Sequence, residues 1–100
     1  MPELALLFHV PNGEKRAKVT AVRLQTQGVK PGVPDLSLPV ARHGYHGLWI
    51  EMKTNGGRVS PAQRAWIDAL RAQGYRVAVC YGWEAARDEI ETYLTWGVVE

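Results

Sequence analysis

Hydrophobic positions recur along this chain with two different periods. The run "LALLFHV" at 4–10 is short, continuous and apolar, and the turn signal "PNG" at 11–13 closes it, so it predicts a buried strand. From Glu14 to Gln27 the period lengthens: Ala17, Ala21 and Leu24 share one helical face, Gly28 supplies a stop, and Arg16 and Arg23 project together from another side. The segment "GVKPGVP", stiffened by two prolines, leads into Asp35–Val40, where Leu36, Leu38 and Val40 alternate with Asp35, Ser37 and Pro39 as in a strand. Residues 42–46 are turn-like. Alternation resumes over 47–53, with Leu48, Ile50 and Met52 on one face and Trp49, Glu51 and Lys53 on the other. The two alternating segments can pair as a hairpin.

The second half returns to helical spacing. A glycine-rich loop, Thr54–Arg58, runs into "SPAQ", where Ser60 suits an N-cap, Pro61 the first helical position, and Gln63 the third residue of a capping box. The helix that follows extends to about Gln73, with Gln63, Ile67 and Leu70 on an inward stripe and Arg64, Asp68 and Arg71 outward. Residues 75–81, "YRVAVCY", predict a strand, and 83–94 a helix presenting Trp83, Ala86, Ile90 and Leu94 on one face. The predicted order is β-α-β-β-α-β-α, an α/β fold with a mixed sheet flanked by helices, and 100 residues suit one domain spanning 1–100.

Composition narrows the class. At 46% hydrophobic and 22% charged residues the chain lies far from the signature of disorder. No apolar stretch approaches the ~20 residues of a membrane span, and the N-terminus lacks the basic start and cleavage site of a signal peptide, so the expectation is a soluble intracellular protein without a membrane partner. The single Cys80 cannot form an internal disulfide and reads as a buried strand thiol. Net charge is +2 but uneven: residues 1–64 carry nine Lys/Arg against four Asp/Glu, and 65–100 three against six. Arg16, Lys18, Arg23, Lys30, Arg42 and Arg58 could therefore form a face that attracts a polyanion. His9, His43 and His46 lack zinc spacing and read as surface or DNA-contact residues. The four tryptophans read as core or interface residues, with Trp96 a candidate dimer contact.

The chemistry concentrates in the middle strands. Glu51 and Lys53, two residues apart, leave one face of one strand together. A hairpin turning near His43 brings Asp35 opposite the neighbourhood of Glu51, in a register that could slip by one residue. Two carboxylates held together repel, and a shared cation relieves the repulsion. Magnesium suits such a pair, because it takes one or two carboxylates and leaves its remaining positions to water and substrate phosphates. Against this stands the ordinary use of an E-x-K pair, an exposed cross-strand ion pair, and for Gln63 the ordinary use is the cap at Ser60.

"GVPD", then "WIEMK", then "SPAQRAWIDALRAQGYRVAVCYGWEAARDEIETYL" resembles the VRR-NUC (virus-type replication-repair nuclease) family of the PD-(D/E)XK nuclease superfamily, from "LLFHVPNG" to about Leu94. The resemblance implies a restriction-endonuclease-like core and a DNA endonuclease dependent on Mg²⁺ or Mn²⁺, with no organic cofactor. It implies Asp35, Glu51 and the backbone carbonyl of Met52 as metal ligands, Lys53 as an assisting catalyst and Gln63 as a helix glutamine at the site. It further implies homodimers acting on branched DNA such as Holliday junctions, inside a bacterial or phage-infected cytoplasm. The alternative is a DNA-binding or interaction module that keeps the fold without turnover. Many members carry an additional site Glu on an N-terminal helix; here Glu3 is the one acidic residue before Glu14.

Overall fold

A computed structural model of the chain describes residues 1–11 and 30–96. The helix expected over Glu14–Gln27, with Arg16, Lys18 and Arg23, lies outside the described residues. Those described form a four-stranded mixed sheet in the order β1-β2-β3-β4: β1 (Phe8–His9), β2 (Leu36–Leu38), β3 (Leu48–Lys53) and β4 (Arg76–Tyr81). The first three are antiparallel neighbours, and β4 runs parallel to β3. A parallel neighbour needs a crossover, which helix α1 (Pro61–Ala72) supplies; helix α2 (Trp83–Thr95) follows β4.

Residues 4–10 do not form one strand. Pro2–Leu6 is a 3-10 helix with proline in its first turn, and only Phe8 and His9 pair with β2. A short apolar run carries no period with which to separate helix from strand. The hairpin has the expected faces. Leu36 pairs with Ile50 and Leu38 with Leu48, and the turn at Arg42–Tyr45 holds both central residues at positive φ, 54° at His43 and 80° at Gly44. That is the primed geometry whose twist matches the strands it joins.

Alternation divides the sheet between two helices. On one face Leu38, Leu48, Ile50 and Cys80 pack with Ala86, Ile90, Tyr93 and Leu94 into the main core. A fully buried aliphatic side chain there contributes roughly 2 kcal/mol. The buried Tyr93 hydroxyl donates to the Val40 carbonyl at 2.6 Å, so its polar atom is satisfied within the apolar layer. Cys80 is buried as its strand context predicted, and burial pushes its thiol pKa up. On the other face Ile67 of α1 and Val77 of β4 are buried.

Of the four tryptophans expected in core or interface, Trp49 and Trp66 are half-buried and the other two lie outside the core. Trp83 opens α2 and is 61% exposed, while Ala86, Ile90 and Leu94 do face inward. Trp96, 42% exposed, stacks with His43 and lies under the Arg76 guanidinium, 5.3 Å from its ring centroid. No helix among the described residues is long and apolar enough to cross a membrane.

Candidate active site

The loop before β2 fixes the first candidate residue. At Gly32, φ is +91° and a Cβ would lie 2.6 Å from the Ala62 carbonyl oxygen, so only glycine lets the loop close against the first turn of α1. Pro34 is fully buried beside it. Asp35 follows with its place set from both ends. Its backbone carbonyl accepts from the Val10 N–H at 2.6 Å, and its carboxylate oxygen Oδ2 accepts from the Met52 N–H at 2.8 Å. Continued by one residue, the β2–β3 register sets Asp35 opposite Glu51.

The next three residues come from β3 and α1. Glu51 is 2% exposed on the face opposite Ile50, a rare position for a carboxylate. Lys53, two residues on, places Nζ 3.9 Å from Glu51 Oε2 and 2.6 Å from Gln63 Oε1. Gln63 Oε1 also accepts from the Ser60 N–H at 2.8 Å, while Ser60 Oγ accepts from the Gln63 N–H at 3.2 Å. The capping box is therefore complete, and the same glutamine oxygen holds the lysine. The two uses weighed for Gln63 coexist in one atom.

Backbone direction completes the arrangement. The Lys53 carbonyl accepts from the Gly82 N–H on the β4 side of β3. Successive residues of a strand turn their backbone groups to opposite sides, so the Met52 carbonyl lies on the β2 side with its own N–H, toward Asp35. Asp35, Glu51 and that carbonyl are hard oxygen donors at one end of the sheet, chemistry that fits Mg²⁺ or Mn²⁺. Among the described residues no group of three or more His, Cys, Asp or Glu could hold a metal ion. A cation here would take its remaining ligands from backbone, water and phosphate.

Other expected residues fall apart from this centre. Glu3 does not join it: its carboxylate meets Arg42 at 2.6 Å, and that ion pair also withdraws Arg42 from the expected basic face. Arg42 Nη1 bonds the neighbouring Ala41 carbonyl, closing its guanidinium further onto its own chain. Lys30 and Arg58 are exposed, and Arg58 directly follows Gly57 at the site's edge. His9, His43 and His46 are exposed; His43 bonds the Trp96 carbonyl and His46 packs edge-on against Tyr75, both apart from the carboxylates.

One residue escaped the sequence reading. Tyr81 is the register partner of Lys53 across β3–β4, and its hydroxyl donates to the Gly57 carbonyl at 3.0 Å. Gly57 in turn closes the Thr54–Gly57 turn through its N–H to the Thr54 carbonyl, and a Cβ on it would lie 3.6 Å from Lys53 Cδ. A cleft of about 490 Å³ opens there between Met52, Lys53, Thr54, Asn55, Tyr81 and Gly82. The apolar run at 77–80 marks the strand that Tyr81 ends, but the parallel register that sets it beside Lys53 is a tertiary fact.

Similarity to known proteins identifies the family. The VRR-NUC domain model matches residues 3–84, a span that contains β1 to β4, α1 and every residue of the carboxylate–lysine–glutamine cluster. A solved structure described as a VRR_NUC domain protein superposes with a TM-score of 0.77 at 33% identity, over 96% of this chain and 73% of that one. No curated protein matches the chain. Since the family's model runs through most of the chain and a similar structure carries the same fold over nearly all of it, the chain belongs to the VRR-NUC family of nuclease domains.

Proposed function

We propose that the domain is a divalent-metal-dependent endonuclease that hydrolyses DNA phosphodiester bonds, selective for branched DNA such as Holliday junctions and acting as a homodimer. The observation that carries the reading is the meeting of Asp35, Glu51, Lys53 and Gln63 at one end of β2, β3 and α1. Asp35, Glu51 and the Met52 carbonyl would hold Mg²⁺ or Mn²⁺. A cation held there would supply Lewis acidity to the phosphodiester and to an attacking water.

The chain's own residues do the rest. Asp35, tied to the Met52 N–H, keeps its carboxylate from swinging away from β3. Gln63 holds the Lys53 ammonium through the same oxygen that completes the cap, so the lysine is aimed before substrate arrives. From that position Lys53 orients the water or stabilises charge gathering on the phosphoryl oxygens. Burial of Glu51 and Lys53 lowers the local dielectric and strengthens both effects. Branch selectivity and dimerisation draw support from symmetry and charge. Two sites related by a two-fold axis can cut both strands of a junction, and pairing would extend the excess of basic residues in the first 64 positions.

The test is cleavage of labelled four-way junction, flap and linear duplex with Mg²⁺, with Mn²⁺ and with chelator. Metal-dependent, symmetric cutting of the junction is expected, and Asp35→Ala, Glu51→Ala and Lys53→Ala each lose on the order of a thousandfold in rate while circular dichroism stays native. Variants that cut at the wild-type rate sink the assignment. Equal cutting of all three substrates removes the branch selectivity, and binding without cutting favours the non-catalytic module.

A further inference from the structure

We infer that the cleft beside Lys53 is a subsite for one unstacked base of the bound nucleic acid, with the Tyr81 ring as its stacking platform. The inference rests on the reading of the domain as a DNA nuclease and deepens it. Tyr81 and Lys53 are register partners on adjacent strands, so their side chains leave one face of the sheet about 5 Å apart at the backbone. The residue adjoining a phosphate handled by Lys53 therefore passes over Tyr81.

Three features make this ring a platform rather than packing. It is 51% exposed at the end of a strand whose Val77 and Cys80 are buried. Its tip is tied to the Gly57 carbonyl, so the ring is held in one orientation before any ligand arrives, which lowers the entropy lost on binding. Its cleft, about 490 Å³, lies within the size range of sites that enclose small organic ligands. Of the six lining residues Lys53 alone is charged, and its sign suits a polyanion; the Asn55 amide can bond a base edge. The turn that borders the cleft offers little steric bulk: at Gly56, φ is +84°, and a Cβ built there meets nothing within 4 Å. A branched substrate supplies the ligand this geometry asks for, because bases at a branch point can leave the stack at small cost, whereas those of an intact duplex cannot.

Tyr81→Phe, Tyr81→Trp and Tyr81→Leu separate the ring from its hydroxyl. A stack present equally in bound substrate and transition state moves KM and not kcat. Tyr81→Leu should raise KM about tenfold, the size of one base–aromatic stack, with kcat unchanged, while the two aromatic variants keep the stack and lose only the smaller part that the hydroxyl tie contributes. A 2-aminopurine placed beside the scissile phosphate should be quenched on binding, in Ca²⁺, by wild type and the aromatic variants but not by Tyr81→Leu. Equal impairment in Tyr81→Phe and Tyr81→Leu would reduce Tyr81 to a latch on Gly57 and overturn the subsite. Wild-type KM and quenching in Tyr81→Leu overturn it as well. Wild-type protein that quenches the probe yet cuts no DNA removes the nuclease reading and leaves the subsite standing; cutting without quenching does the reverse.

Discussion

The two faces of β3 are equally dry and chemically opposite. Ile50 and Glu51 are adjacent residues, 1% and 2% exposed, yet one points at the apolar layer under α2 and the other at Lys53 and α1. Burying the isoleucine gains roughly 2 kcal/mol, whereas taking a carboxylate and an ammonium out of water costs several kcal/mol per ion before their attraction returns any of it. The Lys53 ammonium approaches Gln63 more closely than Glu51, 2.6 Å against 3.9 Å, so the pair is not arranged for tightest contact. Elsewhere in the molecule the Arg76–Glu89 pair closes to 2.5 Å at a partly buried position. The contrast teaches that burial on the α2 face makes stability, while on the α1 face it holds charged groups that stability alone does not favour.

A crossed pair of substitutions breaks this comparison if it is wrong. Glu51→Gln should cost on the order of a thousandfold in cleavage and leave the melting temperature equal or higher, because a neutral amide is cheaper to bury than a carboxylate and no longer repels Asp35 in the opposite register position. Ile90→Ala, on the other face, should cost about 2–5 kcal/mol in urea unfolding and leave the cleavage rate per folded molecule unchanged. Should Ile90→Ala lose activity as severely as Glu51→Gln while folded, the faces are not separable.

Gln63 belongs to both accounts and sharpens the boundary. Ser60→Ala removes the side-chain cap and keeps the lysine contact, so it should cost about 1 kcal/mol of stability with little change in rate. Gln63→Ala removes the cap's other half together with the oxygen on Lys53, and should lose roughly ten- to a hundredfold in rate as well. Equal rates for the two variants, measured as initial velocities on one junction, would mean that the glutamine matters only as a cap.

The same division explains what could be seen in the sequence. Period-two alternation set Glu51 and Lys53 on one face and Leu48 and Ile50 on the other, and the paired segments carried Asp35 to its place opposite Glu51. The capping box of Ser60 and Gln63 was legible because it is local, four residues long. What escaped depended on distance through space. Neither the Glu3–Arg42 contact, 39 residues apart, nor the bond from Tyr81 to Gly57, 24 apart, has any periodic trace. Residues 4–10 failed for a different reason: a run that short fits helix and strand alike, and the chain used both.

Alkaline pH gives the mildest test, because the resolved upward shifts of neutral acids, those of Cys80 and Tyr93, both belong to the α2 face. Burial is the largest cause in each; for Cys80 the Glu89 carboxylate adds to it and Arg76 opposes it. A thiol that ionises ordinarily near 9.0 does so later in the folded chain, so above that pH the unfolded chain binds fewer protons than the folded one. The contribution to stability is complete below the unfolded value and is lost as pH rises through the folded one. Tyr93 follows the same sign from a higher start, 10.0, where the Arg42 backbone and charge partly offset its burial. Cys80→Ala should shift the whole urea-midpoint curve by a constant for the lost sulfur, and should also flatten its decline above about pH 9. A variant whose midpoint declines as steeply as the wild type's would show that the dry face does not hold the thiol neutral, and the contrast between the two sides of the sheet would then rest on the site alone.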